Sequence, residues 1–164
     1  MNEQPTPDMI EKWNRWFAIE CNNGAWNLAS KPNRTPEEDK EMVYGAYAAA
    51  YHWSKVGNPL NDARADTTLS HALSLAGKGD VALEHAKRSL SFFEKGEGTD
   101  WDVAFAHAEI ALAAAVIGDK GLHKKHYALA KQKGETIKAD EDKKIFLEEF
   151  AKVPTKIITK RKKK

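Results

Sequence analysis

His52, Trp53 and Arg64 form one cluster of residue types suited to small-ligand recognition in this 164-residue chain. A Trp face stacks on a ring or a cation, and a guanidinium holds a carboxylate or phosphate in a two-pronged fork. The competing reading is a buried Trp, a capping His and a surface ion pair. A second set shares a helical stripe: Arg64, Thr67, His71 and Ser74 recur at helical spacing, as do Phe105, Ala108 and Leu112. Side by side, two such stripes line a groove that is polar in one half and apolar in the other. That suits an extended peptide or an amphipathic helix. The competing reading places the first or last helix of the chain itself in the groove.

Other chemistries lack their patterns. His123 and His126 lie three apart, and His85 joins them only if neighbouring units stack. Zinc needs three or four converging ligands, and neither His-Glu-x-x-His nor Glu-x-x-His occurs, so neither metal nor other cofactor is expected. Cys21 falls on an apolar helical stripe, where a core role outweighs a reactive one because thiolates need electropositive surroundings. As the sole cysteine it also excludes an internal disulfide. Gly77-Lys78-Gly79-Asp80 and Gly96-Glu97-Gly98 read as turns, without phosphate-loop spacing or a preceding strand. Glu109 sits inside an Ala-rich helix and is read as reaching water from the edge of its stripe. No catalytic residue emerges, and a binding domain is expected over an enzyme.

The elements that must position these groups follow from caps and periodicity. Thr6-Pro7-Asp8 opens a first helix over 7–30 carrying Trp13, Trp16, Phe17, Cys21 and Trp26, whose rings are expected to pack onto the body. Thr35-Pro36-Glu37-Glu38 is a capping box that starts a second helix over 36–56, with Val43, Ala46, Tyr47, Ala50, Tyr51 and Trp53 toward the core. Asn58-Pro59 opens a third over 59–76. Asp80 is expected to cap a fourth over 80–95, and Thr99 to Asp102 a fifth over 100–117. A sixth spans 119–135, and a seventh over 140–152 has the charged reverse side of a terminal cap. No alternation long enough for a strand appears.

The third to sixth helices repeat. Gly77 answers to Gly118 and His85 to His126, both 41 positions on. At the same offset Ala65, Leu69, Ala72, Leu73 and Ala76 land on Ala106, Ile110, Ala113, Ala114 and Ile117, one apolar stripe in each copy. The two hairpins resemble tetratricopeptide repeats over roughly residues 58–135. Ala82, Ala86 and Ser89 sit where that pattern takes small, bulky and small residues, as do His123, Tyr127 and Ala130 in the second copy. Asp66 and His107 replace the usual first-helix Trp, and the unit of 41 exceeds the common 34. The whole chain also resembles a bacterial family of unassigned function, through Tyr51-His52-Trp53, Gly57, Pro59 and Arg64 and through Cys21-Asn22-Asn23-Gly24-Ala25-Trp26. Both resemblances imply an all-α fold of stacked antiparallel helix hairpins in a right-handed tetratricopeptide-like array, about seven helices in one domain over 1–154.

Charge adds one feature. Lys156, Lys160, Arg161, Lys162, Lys163 and Lys164 make a basic tail over 155–164, and without them 20 basic residues face 24 acidic ones. Such a tail grips phosphates with a log–log salt slope near −5 for about six contacts, giving weak nucleic-acid association; a solvated tail is the competing reading. The start, Met-Asn-Glu-Gln-Pro-Thr-Pro, has neither a basic nor an apolar segment, and Val103 to Ile117 is too short and polar to span a bilayer of about 20 apolar residues. The expectation is a cytoplasmic domain, away from membranes, that binds an unidentified protein or peptide segment.

Overall fold

The computed structural model describes residues 4–157, and within them the chain forms seven α-helices and no strand. They are α1 (Pro7–Ala29), α2 (Pro36–Val56), α3 (Pro59–Leu75), α4 (Gly79–Phe93), α5 (Asp100–Ile117), α6 (Lys120–Glu135) and α7 (Asp140–Phe150). Among the described residues no helix is long and apolar enough to cross a membrane.

Most boundaries are set by side-chain caps that satisfy the free amides of the first turn. Thr6 Oγ1 accepts from the Met9 amide, Thr35 and Glu38 close a capping box, and Asn58 and Asn61 close another. Arg34 pins the α1–α2 turn: its Nε donates to Asp39 Oδ1 at 2.6 Å and its Nη1 to the Ala29 and Lys31 carbonyls. The start of α4 departs from expectation. Lys78 holds the cap position without a side-chain bond, and Asp80 lies inside the first turn. Gly79 is buried against Val116 and Ile117, so tertiary packing and not a cap anchors this end.

The 41-residue repeat is visible in the backbone. Gly77 and Gly118 take left-handed φ of 74° and 81°, a region open chiefly to glycine. Each lets the next amide bond back across the turn, Lys78 to the Leu73 carbonyl at 2.8 Å and Asp119 to that of Ala114 at 2.9 Å. The hairpin α5–α6 packs on α3 and α4, while α1 and α2 cover α3 and α7 lies over α5 and α6. α5 is enclosed along most of its length. Ala104, Ala106, Ala108, Ala111, Ala113 and Ala114 are all buried, so backbones approach closely where larger side chains would hold them apart.

The α7 contact is tight at one point. A Cβ on Gly134 would stand 2.1 Å from Cε1 of Phe146, whose ring is fully buried and packed on Phe105 and Phe150. An exposed helical Gly→Ala exchange gains about 0.5–1 kcal/mol. Here Gly134→Ala is expected to lose about 1–3 kcal/mol by overpacking, so urea unfolding reads the sign directly.

The first helix differs from expectation. Trp26 packs inward, but Trp13 and Trp16 are 47% and 57% exposed, and Tyr47 and Tyr51 of α2 also stand open. Ala18, Ala25 and Ala29 make the buried face of α1, so the large rings lie on its other side.

Candidate ligand pocket

A cavity of about 410 Å³ lies where α1, α3, α5 and α7 meet. Its aromatic walls are Trp26 from α1 and Trp101 and Phe105 from α5, with Trp101 edge-on to Phe105 at 5.0 Å. Asn22, Thr67 and Thr68 add hydroxyl and amide groups, and Ile145 and Glu149 of α7 complete the lining. The Trp26 indole is held in place from two directions. Its Nε1–H donates to Thr68 Oγ1 at 3.1 Å, and that hydroxyl donates to Asn22 Oδ1 at 2.9 Å. Its ring stacks on His71 at 4.5 Å.

Arg64 lines the same cavity, but its fork is closed. Nε and Nη2 donate to the two oxygens of Asp102, each at 2.9 Å, the parallel geometry of a strong guanidinium–carboxylate pair. Asp102 is buried and also accepts from the amide and hydroxyl of Thr99, so it caps α5 and anchors Arg64 together. The bond to Asp102 raises the Arg64 pKa further above its already high value. The guanidinium carbon stands 5.7 Å from the centre of the Trp101 ring.

Beneath Trp26 lies a pair that periodicity alone did not find. Glu109 is 2% exposed and does not reach water. His71 Nδ1 donates to its Oε1 at 2.9 Å, while His71 Nε2 stands 3.7 Å from Glu149 Oε2, beyond hydrogen-bond reach. Among the described residues four buried side-chain atoms have no hydrogen-bond partner: His71 Nε2 and Glu109 Oε2 of the pair itself, and Ser70 Oγ and Ser74 Oγ, also on α3. Buried polar groups are nearly always paired, so a buried pair with an unpaired atom on each partner marks a place where something other than packing was favoured. The available signal was the helical register: residue 71 of one stripe faces residue 109 of the next.

The structure places the expected groove residues as follows. Arg64, Thr67 and Phe105 line the cavity. His71 and Ser74 are buried behind it, and Ala108 and Leu112 are packed into a cluster with Phe146 and Phe150. The long groove is therefore shortened to a pocket, because Trp26 covers one end and the apolar face of α7 fills the other. The trio His52, Trp53 and Arg64 does not form a cavity wall. His52 Nδ1 donates to Asn14 Oδ1 at 2.8 Å and its ring stacks on Phe17, while Trp53 is half-buried on α2 and Arg64 is turned to Asp102.

The repeat pairs equivalent positions differently. Asp66 takes His85 at 2.6 Å and Arg88 at 2.7 Å in the first copy, and His107 meets His126 at 3.0 Å in the second. Burial pushes the Asp66 pKa up, but the hydrogen bonds from His85 and Arg88 outweigh it and hold the group below its ordinary value. His123 Nε2 donates to the Pro154 carbonyl. Among the described residues no group of three or more His, Cys, Asp or Glu is placed to hold a metal ion. Cys21 is half-buried in the α1–α2 groove, where burial and then Glu20 raise its thiol pKa. Of the basic tail, Lys156 is exposed beside Lys124 and Tyr127, while Lys160, Arg161, Lys162, Lys163 and Lys164 lie outside the described residues. No protein family, curated protein or solved structure matches this chain.

Proposed function

We propose that this is a non-catalytic, tetratricopeptide-like binding domain. Its site is the α1–α3–α5–α7 pocket, and its ligand is a small molecule with a flat apolar body and an amine head. The observation that supports this most is the aromatic-walled cavity with Glu149 on its lining. A volume of about 410 Å³ suits a ligand of one or two rings. An anion is disfavoured, because the Arg64 fork is already committed to Asp102. A cation gains from the Trp26 wall, the Trp101 ring already taking the Arg64 guanidinium on one face, and from a carboxylate acceptor. Lys152 Nζ bonds both Glu149 oxygens, at 2.7 and 2.8 Å, from one turn further on, and an amine entering the pocket takes this carboxylate in its place.

The test is Trp fluorescence titration with tryptamine and phenethylamine beside indole-3-acetate and phenylacetate. The amines are expected to bind saturably and the carboxylates not. Glu149→Gln should weaken amine binding by about tenfold, or about 1.4 kcal/mol. Equal binding of amines and acids, or no saturable binding of either, removes this reading. A second reading keeps a partner protein as the source of the ligand, with a lysine or aromatic side chain entering the pocket. It is favoured by Ile145, a half-exposed apolar residue at the rim. Peptides displaying such a residue would then bind more tightly than the free amines.

A further inference from the structure

We infer that the outer face of the α1–α2 hairpin docks a second copy of this chain, two-fold symmetrically, with α2 antiparallel to its counterpart. Along the outer stripe of α2 stand Glu41, Tyr44, Ala48, Tyr51 and Lys55, at steps of three and four residues. That is the seam spacing of a coiled coil. The order is a palindrome in shape and an antipalindrome in charge: acid, ring, small residue, ring, base. A two-fold axis passing at Ala48 sets Tyr44 against the partner copy's Tyr51 and Glu41 against its Lys55, and the small side chain at the crossing lets the helices approach. An isologous interface requires such self-complementarity.

The surface is open in this chain. Tyr44 and Tyr51 are 63% and 59% exposed, Trp16 and Phe17 of α1 line one groove with Tyr44, and Trp13 stands open on the same helix. A groove of about 800 Å³ runs between the two helices, floored in part by Gly24, Gly45 and Ala48. At 150–250 Å² per ring, five half-open rings with Met9 and Ile10 leave roughly 650 Å² of mostly apolar surface uncovered. A typical monomer keeps patches of about 300–600 Å², and a stable interface takes about 800 Å² from each partner. The two ends of the helical pile also differ. α7 covers one end with Phe146, Phe150 and a charged outer side, whereas the α1–α2 end carries rings where a terminal unit needs polar residues.

Sedimentation equilibrium on the full chain tests this. The parent is expected at twice its chain mass at tens of micromolar, and Trp16→Glu with Tyr44→Glu at the chain mass, with helical circular dichroism unchanged. Glu41→Lys and Lys55→Glu should each weaken association by about tenfold, and the two together should recover most of the loss. A parent that stays at the chain mass, a dimer indifferent to Trp16→Glu with Tyr44→Glu, or a charge swap without recovery would each overturn the inference.

Discussion

Replacing His71 with Leu is expected to cost about 3–5 kcal/mol, because Glu109 is then buried without its donor. Glu109→Leu should cost a similar amount, leaving the His71 Nδ1–H unpaired under the Trp26 ring. The double variant carrying Leu at both positions is expected within about 1–2 kcal/mol of the parent, since an apolar pair of similar volume removes both desolvation costs together. Urea unfolding of the four proteins reads the coupling, which should exceed about 2 kcal/mol. Additive single losses would show that the pair does not act as a unit. Trp26 supplies an independent signal. Its indole stacks on His71 at 4.5 Å, so the singles should shift its fluorescence and weaken amine binding together. If the double variant restores stability but not binding, the pair is retained for the pocket and not for the fold.

Stability should fall by about 2–3 kcal/mol between pH 7 and pH 4.5 through His107 alone, with His126 acting in the same direction. His107 is buried, and burial, then the charges of His126, Lys133 and Lys125, lower its pKa to about 4. Burial and Lys125 also lower that of His126. The two Nδ1 atoms stand 3.0 Å apart, so one donates and the other accepts, and a proton on both would set two cations in contact. In the unfolded chain each titrates near 6.5, so between about 4 and 6.5 the unfolded state holds more protons. Stability therefore rises with pH across that window and is lost as pH falls through it. Asp66, whose pKa is depressed, loses its contribution lower still, below the ordinary aspartate value of 3.8. The double variant with Leu at positions 107 and 126 should lose about 2 kcal/mol less than the parent on going from pH 7 to pH 4.5. Parallel pH profiles for parent and variant would assign the acid sensitivity elsewhere.

Caps, helical spacing and the 41-residue offset already determine seven helices, their turns and the correspondence of α3–α4 with α5–α6. These are local properties: Thr35 with Glu38 or Gly77 at positive φ depends on residues a few positions away. The same periodicity placed Arg64, Thr67, His71 and Phe105 on facing stripes, close to the pocket that forms. What it left open was which part of the chain covers those stripes. An amphipathic pattern states that a face must be buried and says nothing of its partner. So α7 and Trp26 take up most of a groove for which periodicity allowed either an outside segment or the chain's own first or last helix, while Trp13, Trp16 and Tyr51 stayed on a surface read as core. Pairing at long range had the same character. Arg64 with Asp102 and His71 with Glu109 both bridge 38 positions, and only the packing of α3 on α5 decides that a fork is closed or that a carboxylate is shut away from water.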